Sequence, residues 1–208
     1  MLEKIKAIRE NLNVPLDIKS RVVVLVAAFI LIPSFVTPLW KLDFGAQQYP
    51  EGLEMYIYPD KMVGGDDGND LTEINVLNHY IGMAELRQED FTEFKWIPLV
   101  IGLMLVLAFR AAAIGTLTSI IDIFVFMIYF AAFSFWRFWS MLHSYGYNLD
   151  PKAAVQVAPF TPPVLGSKMV GQFSVTSFPS IGGIFLMLFG LLIVIAIFWE
   201  LRKISKTI

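Results

Sequence analysis

The stretch Ile181 to Trp199 holds no charged residue and is long enough, as a helix, to cross a hydrocarbon core about 30 Å thick. Three more apolar runs share the chain: Val22 to Trp40, Trp96 to Ile114 and Leu117 to Met141. The sequence is 56% hydrophobic and only 16% charged, and the apolar excess sits in blocks, which is the pattern of membrane spans rather than of a rich soluble core. These runs predict an all-α integral membrane protein, a single membrane domain over residues 1–208. Its four transmembrane helices lie at about 22–40, 96–114, 117–141 and 181–199. Two exoplasmic loops, 41–95 and 142–180, form a small mixed cap.

The first run follows Lys19 and Arg21 and contains Pro33 and Pro38, which a span tolerates better than a soluble helix does. A cleaved signal peptide is the alternative, but Thr37-Pro38-Leu39-Trp40 lacks the small-x-small cleavage pattern. Gly115 and Thr116 offer a tight turn between the second and third runs. The third run ends in Phe130, Phe133, Phe135, Trp136, Phe138 and Trp139, the composition of an interfacial belt.

Charge sets the expected orientation. Lys4, Lys6, Arg9, Lys19 and Arg21 precede the first span, Arg202, Lys203 and Lys206 follow the last, and Arg110 sits beside the short turn. The segment from Lys41 to Lys95 carries twelve acidic residues against four basic ones. Cytoplasmic loops collect lysine and arginine, so both termini are expected in the cytoplasm and both long loops outside.

The chain has no cysteine, which removes disulfides, thiolate metal sites, haem attachment and thiol redox chemistry. It also argues against claudin-like four-span proteins and quinone-linked disulfide oxidoreductases. In the first loop Leu53 to Tyr58 reads as a strand, and Gly64 to Asp70 as a polar turn whose spacing does not match an EF-hand. Asp70-Leu-Thr-Glu73 predicts a helix N-terminus, with Asp70 as N-cap. In the second loop Pro159, Pro162 and Pro163 predict an extended segment.

Both histidines, His79 and His143, fall in the exoplasmic region, with Met55, Met62, Met83, Met141 and Met169 in or beside it. Asn75, His79 and Met83 stand at successive i, i+4 positions and are expected on one helix face. Imidazole with thioether suits Cu(I) better than zinc or calcium. The candidate copper ligands are therefore His79, Met83, His143 and Met55. The structural reading of the same residues is a hydrogen-bonding histidine and gap-filling methionines. Asp122, inside the third span, is read as an ion pair with Arg110, or otherwise as part of an ion path. No nucleophile–base set, phosphate loop or catalytic carboxylate pair is visible, and the basic tails carry no nucleic-acid signal. The chain reads as non-enzymatic.

Four strings then carry a resemblance: Tyr49-Pro-Glu-Gly-Leu53, Leu77-Asn-His-Tyr-Ile-Gly-Met83, Tyr145-Gly-Tyr-Asn-Leu-Asp-Pro151 and Pro162-Pro-Val-Leu-Gly-Ser-Lys168. They resemble a family of small multi-span membrane proteins associated with bacterial gene clusters for nitrous oxide reductase and its copper-delivery factors. The likeness runs from about Trp40 to Lys168. One position departs from it: Tyr147 stands where the resemblance implies a histidine. The resemblance implies a bacterial inner-membrane accessory protein for a periplasmic copper enzyme or respiratory complex, holding Cu(I) transiently for delivery. The alternative is a structural subunit without metal, partnered by other membrane or periplasmic subunits. In that reading Gly182, Gly183 and Gly190 permit close helix packing.

Overall fold

A computed structural model describes residues 12–170 and 173–207. Its helices are α1 (Ile18–Leu31), α2 (Asn69–Tyr80), α3 (Glu93–Ile114), α4 (Leu117–Tyr147) and α5 (Ile181–Thr207). Its strands are β1 (Trp40–Ala46), β2 (Tyr49–Ile57), β3 (Met62–Gly64), β4 (Gly166–Val170) and β5 (Phe173–Pro179). Four helical stretches are long and apolar enough to cross a membrane: Ile18–Phe35, Glu93–Ile114, Leu117–Tyr147 and Ile181–Lys206. The fold is nevertheless mixed rather than all-α. The two segments read as loops contribute a five-stranded antiparallel sheet of order β3-β2-β1-β5-β4.

The chain divides into two compact units. One comprises residues up to Phe35, Pro98–Ala131 and those from Ile184 onward; the other comprises Val36–Ile97 and Ala132–Gly183.

The first unit is helical. Asp17 begins α1 by accepting the Ile18 N–H on its own side chain at 2.8 Å. The helix ends sooner than the hydropathy suggests: it gives way at Ile32 to a 3₁₀ turn containing Pro33, and Trp40 already belongs to a strand. Val24, Ala27, Ala28 and Leu31 of α1 are fully buried, as are Ile101, Met104 and Ala108 of α3 and Phe189, Ile193 and Ala196 of α5. Alanines at these positions let helix backbones approach closely, which is how helices associate where lipid offers no hydrophobic drive. Phe29 and Phe109 meet edge to face at 5.6 Å. The expected turn at Gly115 and Thr116 is present, and it pairs with the chain ahead of α1: Leu16 N–H donates to Gly115 O at 3.1 Å.

The sheet-bearing unit is built around β1. Leu42 and Phe44 of β1 pair across to Met55 and Leu53 of β2, while Val175 and Ser177 of β5 pair with Phe44 and Leu42. Alternation sends Leu42, Leu53, Met55 and Val175 to one face, where Met62, Ile74 and Val170 complete a buried core. Lys41, Asp43, Glu54 and Tyr56 fall on the opposite face. Trp40 Nε1 donates to the buried Ser177 Oγ at 2.7 Å, and that hydroxyl donates to Val164 O at 2.8 Å.

Helix α2 starts two residues before the expected position, with Gly68 rather than Asp70 as its N-cap. Asp70 lies in the first turn and is committed elsewhere: its Oδ2 accepts the Glu54 N–H at 2.8 Å. At α4 the sequence underestimates the helix, which runs six residues past Met141 to Tyr147. Thirty-one residues at 1.5 Å each give about 46 Å, well beyond a hydrocarbon core of roughly 30 Å.

Candidate functional site

The predicted ligands His79 and Met83 do not share a helix face. Helix α2 ends at Tyr80, and Gly82 takes φ +81°, the left-handed conformation that turns the chain away. The helix end is closed by Gly82 N–H to His79 O at 3.1 Å and Met83 N–H to Asn78 O at 2.8 Å. His79 is left exposed in the last turn. Met83, half-buried, lines a cavity of about 40 Å³ with Phe44, Ile74, Leu77 and Phe160. A space of that size has room for no more than a few waters, and apart from Asn78 its walls are apolar.

The other two candidates have separate surroundings. Met55 is 5% exposed and belongs to the core of the sheet. His143 lies on α4, where Trp139 and Tyr147, one turn to either side, stack on its ring at 5.2 Å and 4.0 Å. Its Nδ1 makes a 2.9 Å hydrogen bond with Thr161 Oγ1. Tyr147, the departure from the resemblance, thus packs against His143, four residues earlier on the same helix. Among the described residues, no group of three or more His, Asp or Glu side chains gathers as a metal site.

The expected ion pair is also absent. Asp122 and Arg110 are both exposed, and no salt bridge joins them. The pair that does form, Arg137 with Glu93, lies in the sheet-bearing unit.

What the structure brings together is two of the singled-out strings. Asp150 N–H donates to Gly82 O at 2.8 Å, and Val155 N–H donates to Tyr80 O at 3.1 Å. Tyr145 Oη donates to Glu85 O at 3.3 Å and its ring stacks on Phe91 at 6.4 Å. Gly146 accepts the Phe160 N–H at 3.0 Å, and a Cβ at Gly146 would stand 1.8 Å from Phe160 O. The two glycines are therefore needed so that the backbones can touch. This junction is a structural joint: it satisfies backbone groups of long irregular segments and leaves no titratable cluster open to a substrate.

The polar face of the sheet carries the strongest electrostatics. Lys41 Nζ lies 2.7 Å from Glu54 Oε1 and 2.8 Å from Asp43 Oδ1, and Tyr56 Oη donates to Glu54 Oε2 at 2.5 Å. The Lys41 hydrogen bond, followed by that from Tyr56, holds the Glu54 carboxyl below its ordinary range against the opposing effect of burial. Burial works against the Lys41 ammonium, but hydrogen bonds to Asp43 and Glu54 and their charges outweigh it and raise its pKa. Tyr49 donates to Glu73, and this hydrogen bond raises the phenol pKa. Sequence reasoning missed the Lys41–Glu54 network; its signal was the alternation of charge in Lys41, Asp43 and Glu54, Tyr56 on paired strands.

No family model, no curated protein and no solved structure matches this chain.

Proposed function

We propose that this chain is a non-catalytic accessory subunit of a membrane complex. Four spans hold it in the bilayer with both termini in the cytoplasm, and its sheet-bearing unit binds other subunits on the far side. The observation that carries the reading is that both long segments between spans are spent on a single sheet. Strand β1, from the first segment, pairs on one side with β2 and on the other with β5, from the second segment. The sheet has one face sealed by an apolar core and the other polar, with side chains of Asp43 and Glu54 46% and 43% exposed. That is a construction suited to recognition, and among the described residues no cleft opens onto its Lys41, Asp43, Glu54 and Tyr56 network.

The copper-delivery form of this proposal requires His79, Met83, His143 and Met55 to converge. One is exposed at a helix end, one lines a small apolar cavity, one is stacked between aromatic rings and one is in the core. Nothing favours it over the metal-free form.

The test is native purification in mild detergent, with mass spectrometry of co-purifying chains and elemental analysis of the same sample. The expected result is a fixed-stoichiometry set of partner subunits without bound copper. A chain that purifies alone with about one copper per protein, lost in His79→Ala, would overturn it.

A further inference from the structure

We propose that the helical unit holds a binding site for the headgroup of an anionic phospholipid, in a cleft where the start of α1 meets the end of α5. The cleft has a volume of about 420 Å³ and is lined by Lys19 and Ser20 from α1 and by Trp199, Arg202 and Lys206 from α5, among others. Pockets that take small ligands are of this size or larger.

Charge identifies the ligand. Four basic residues line the cleft against two acidic ones, and both acids are engaged locally. Glu200, 6% exposed, accepts the Asp17 N–H at 2.8 Å. Asp17 caps Ile18 and has Lys203 Nζ at 4.0 Å. Among the described residues, Lys19, Arg202 and Lys206 have no acidic partner within ion-pair distance. The Arg202 guanidinium is carried 4.3 Å over the Phe198 ring, which fixes a planar fork suited to phosphate oxygens.

Position favours a lipid as the source of the phosphate. Residues 181–199 of α5 are uncharged, and the charged series starts at Glu200, so the cleft opens at the end of a candidate span. Trp199, 46% exposed, stands at that boundary, where an indole favours the headgroup region. Leu191 and Val194 of α5, 55% and 41% exposed, offer an apolar flank for acyl chains. A basic pocket between spans with an apolar flank matches an anionic headgroup with its tails alongside.

The experiment is native mass spectrometry of the full chain in detergent, titrated with phosphatidylglycerol and, separately, with phosphatidylcholine. Phosphatidylglycerol should bind at least about tenfold more tightly, and Lys19→Gln/Arg202→Gln/Lys206→Gln should weaken it by about tenfold. Arg110→Gln, which removes an exposed charge outside the cleft, should change binding by less than about twofold. Equal binding of the two lipids by the unmodified chain would overturn the proposal, as would an equal loss in Arg110→Gln. Complete displacement of phosphatidylglycerol by about 10 mM inorganic phosphate would overturn the lipid as the source.

Discussion

Arg137 Nε donates to Glu93 Oε1 at 2.6 Å, joining the first residue of α3 to the later half of α4. The pair is unequally buried, with 16% of the Glu93 side chain exposed against 31% for Arg137. Glu93 Oε2 is buried without a partner among the described residues. The carboxylate therefore depends on Arg137 more than the guanidinium depends on it.

That asymmetry predicts unequal costs. Arg137→Met strands a buried carboxylate and should lose about 2–4 kcal/mol, whereas Glu93→Gln keeps an acceptor for a half-exposed guanidinium and should lose about 1 kcal/mol. The double variant should lie closer to the unmodified protein than the sum of the two singles. Thermal unfolding in detergent of all four proteins checks this; equal single losses would show that the pair is not the source.

The four long apolar helices were legible because hydropathy marks them, and of the sheet only part of β2 was, read as a strand over Leu53 to Tyr58; the rest was hidden for reasons visible in particular residues. In β5 the core-facing positions are Phe173, Val175 and Ser177, and the buried serine interrupts the apolar alternation on which a strand is recognised. Trp40, the first residue of β1, closes the apolar run of the first span, and the remainder of β1, from Lys41 to Ala46, fell in the segment read as a loop. The candidate site failed at one backbone angle. Periodicity places His79 and Met83 together only if the helix continues, and Gly82 at φ +81° ends it between them. Arg137 and Glu93 are 44 residues apart, and local spacing carries no sign of their pairing.

The polar face of the sheet should respond to acid. Glu54 has its folded pKa depressed, chiefly by the hydrogen bond from Lys41. Its contribution is therefore fully present above the ordinary carboxylate value, about 4.5, and is lost as pH falls through the lower folded value. With Glu54 nearly half exposed, solvent screening limits the effect to about 1 kcal/mol or less. Melting temperature measured from pH 6 to pH 3 should fall less in Glu54→Gln than in the unmodified protein.

Ser177 supports two partners at once, accepting from Trp40 Nε1 and donating to Val164 O, and it is completely buried. Ser177→Ala deprives the half-buried Trp40 indole N–H and the buried Val164 carbonyl of this partner, at a cost of about 1–3 kcal/mol. Trp40→Phe removes the donor as well as some volume. If the two groups are coupled, adding Ser177→Ala to Trp40→Phe should cost less than Ser177→Ala does alone, which unfolding measurements on the four proteins resolve.

Gly82 is the position on which the junction between the two inter-span segments turns. Its φ of +81° disfavours any side chain, and an added Cβ would meet Asp150 N, Asp150 O and Ala153 Cβ at 2.9 Å each. Two of these three are backbone atoms, which cannot step aside without breaking the 2.8 Å hydrogen bond from Asp150 N–H to Gly82 O. Gly82→Ala should therefore cost about 2–4 kcal/mol, more than the roughly 1 kcal/mol that a left-handed residue alone incurs. The loss should be local as well as global. Hydrogen exchange should show amides of Asp150, Val155 and Met83 losing protection, while those of Leu42 and Val175, in the paired strands of the sheet, keep theirs. Uniform deprotection across the sheet would instead mean that the junction and the sheet unfold as one cooperative body.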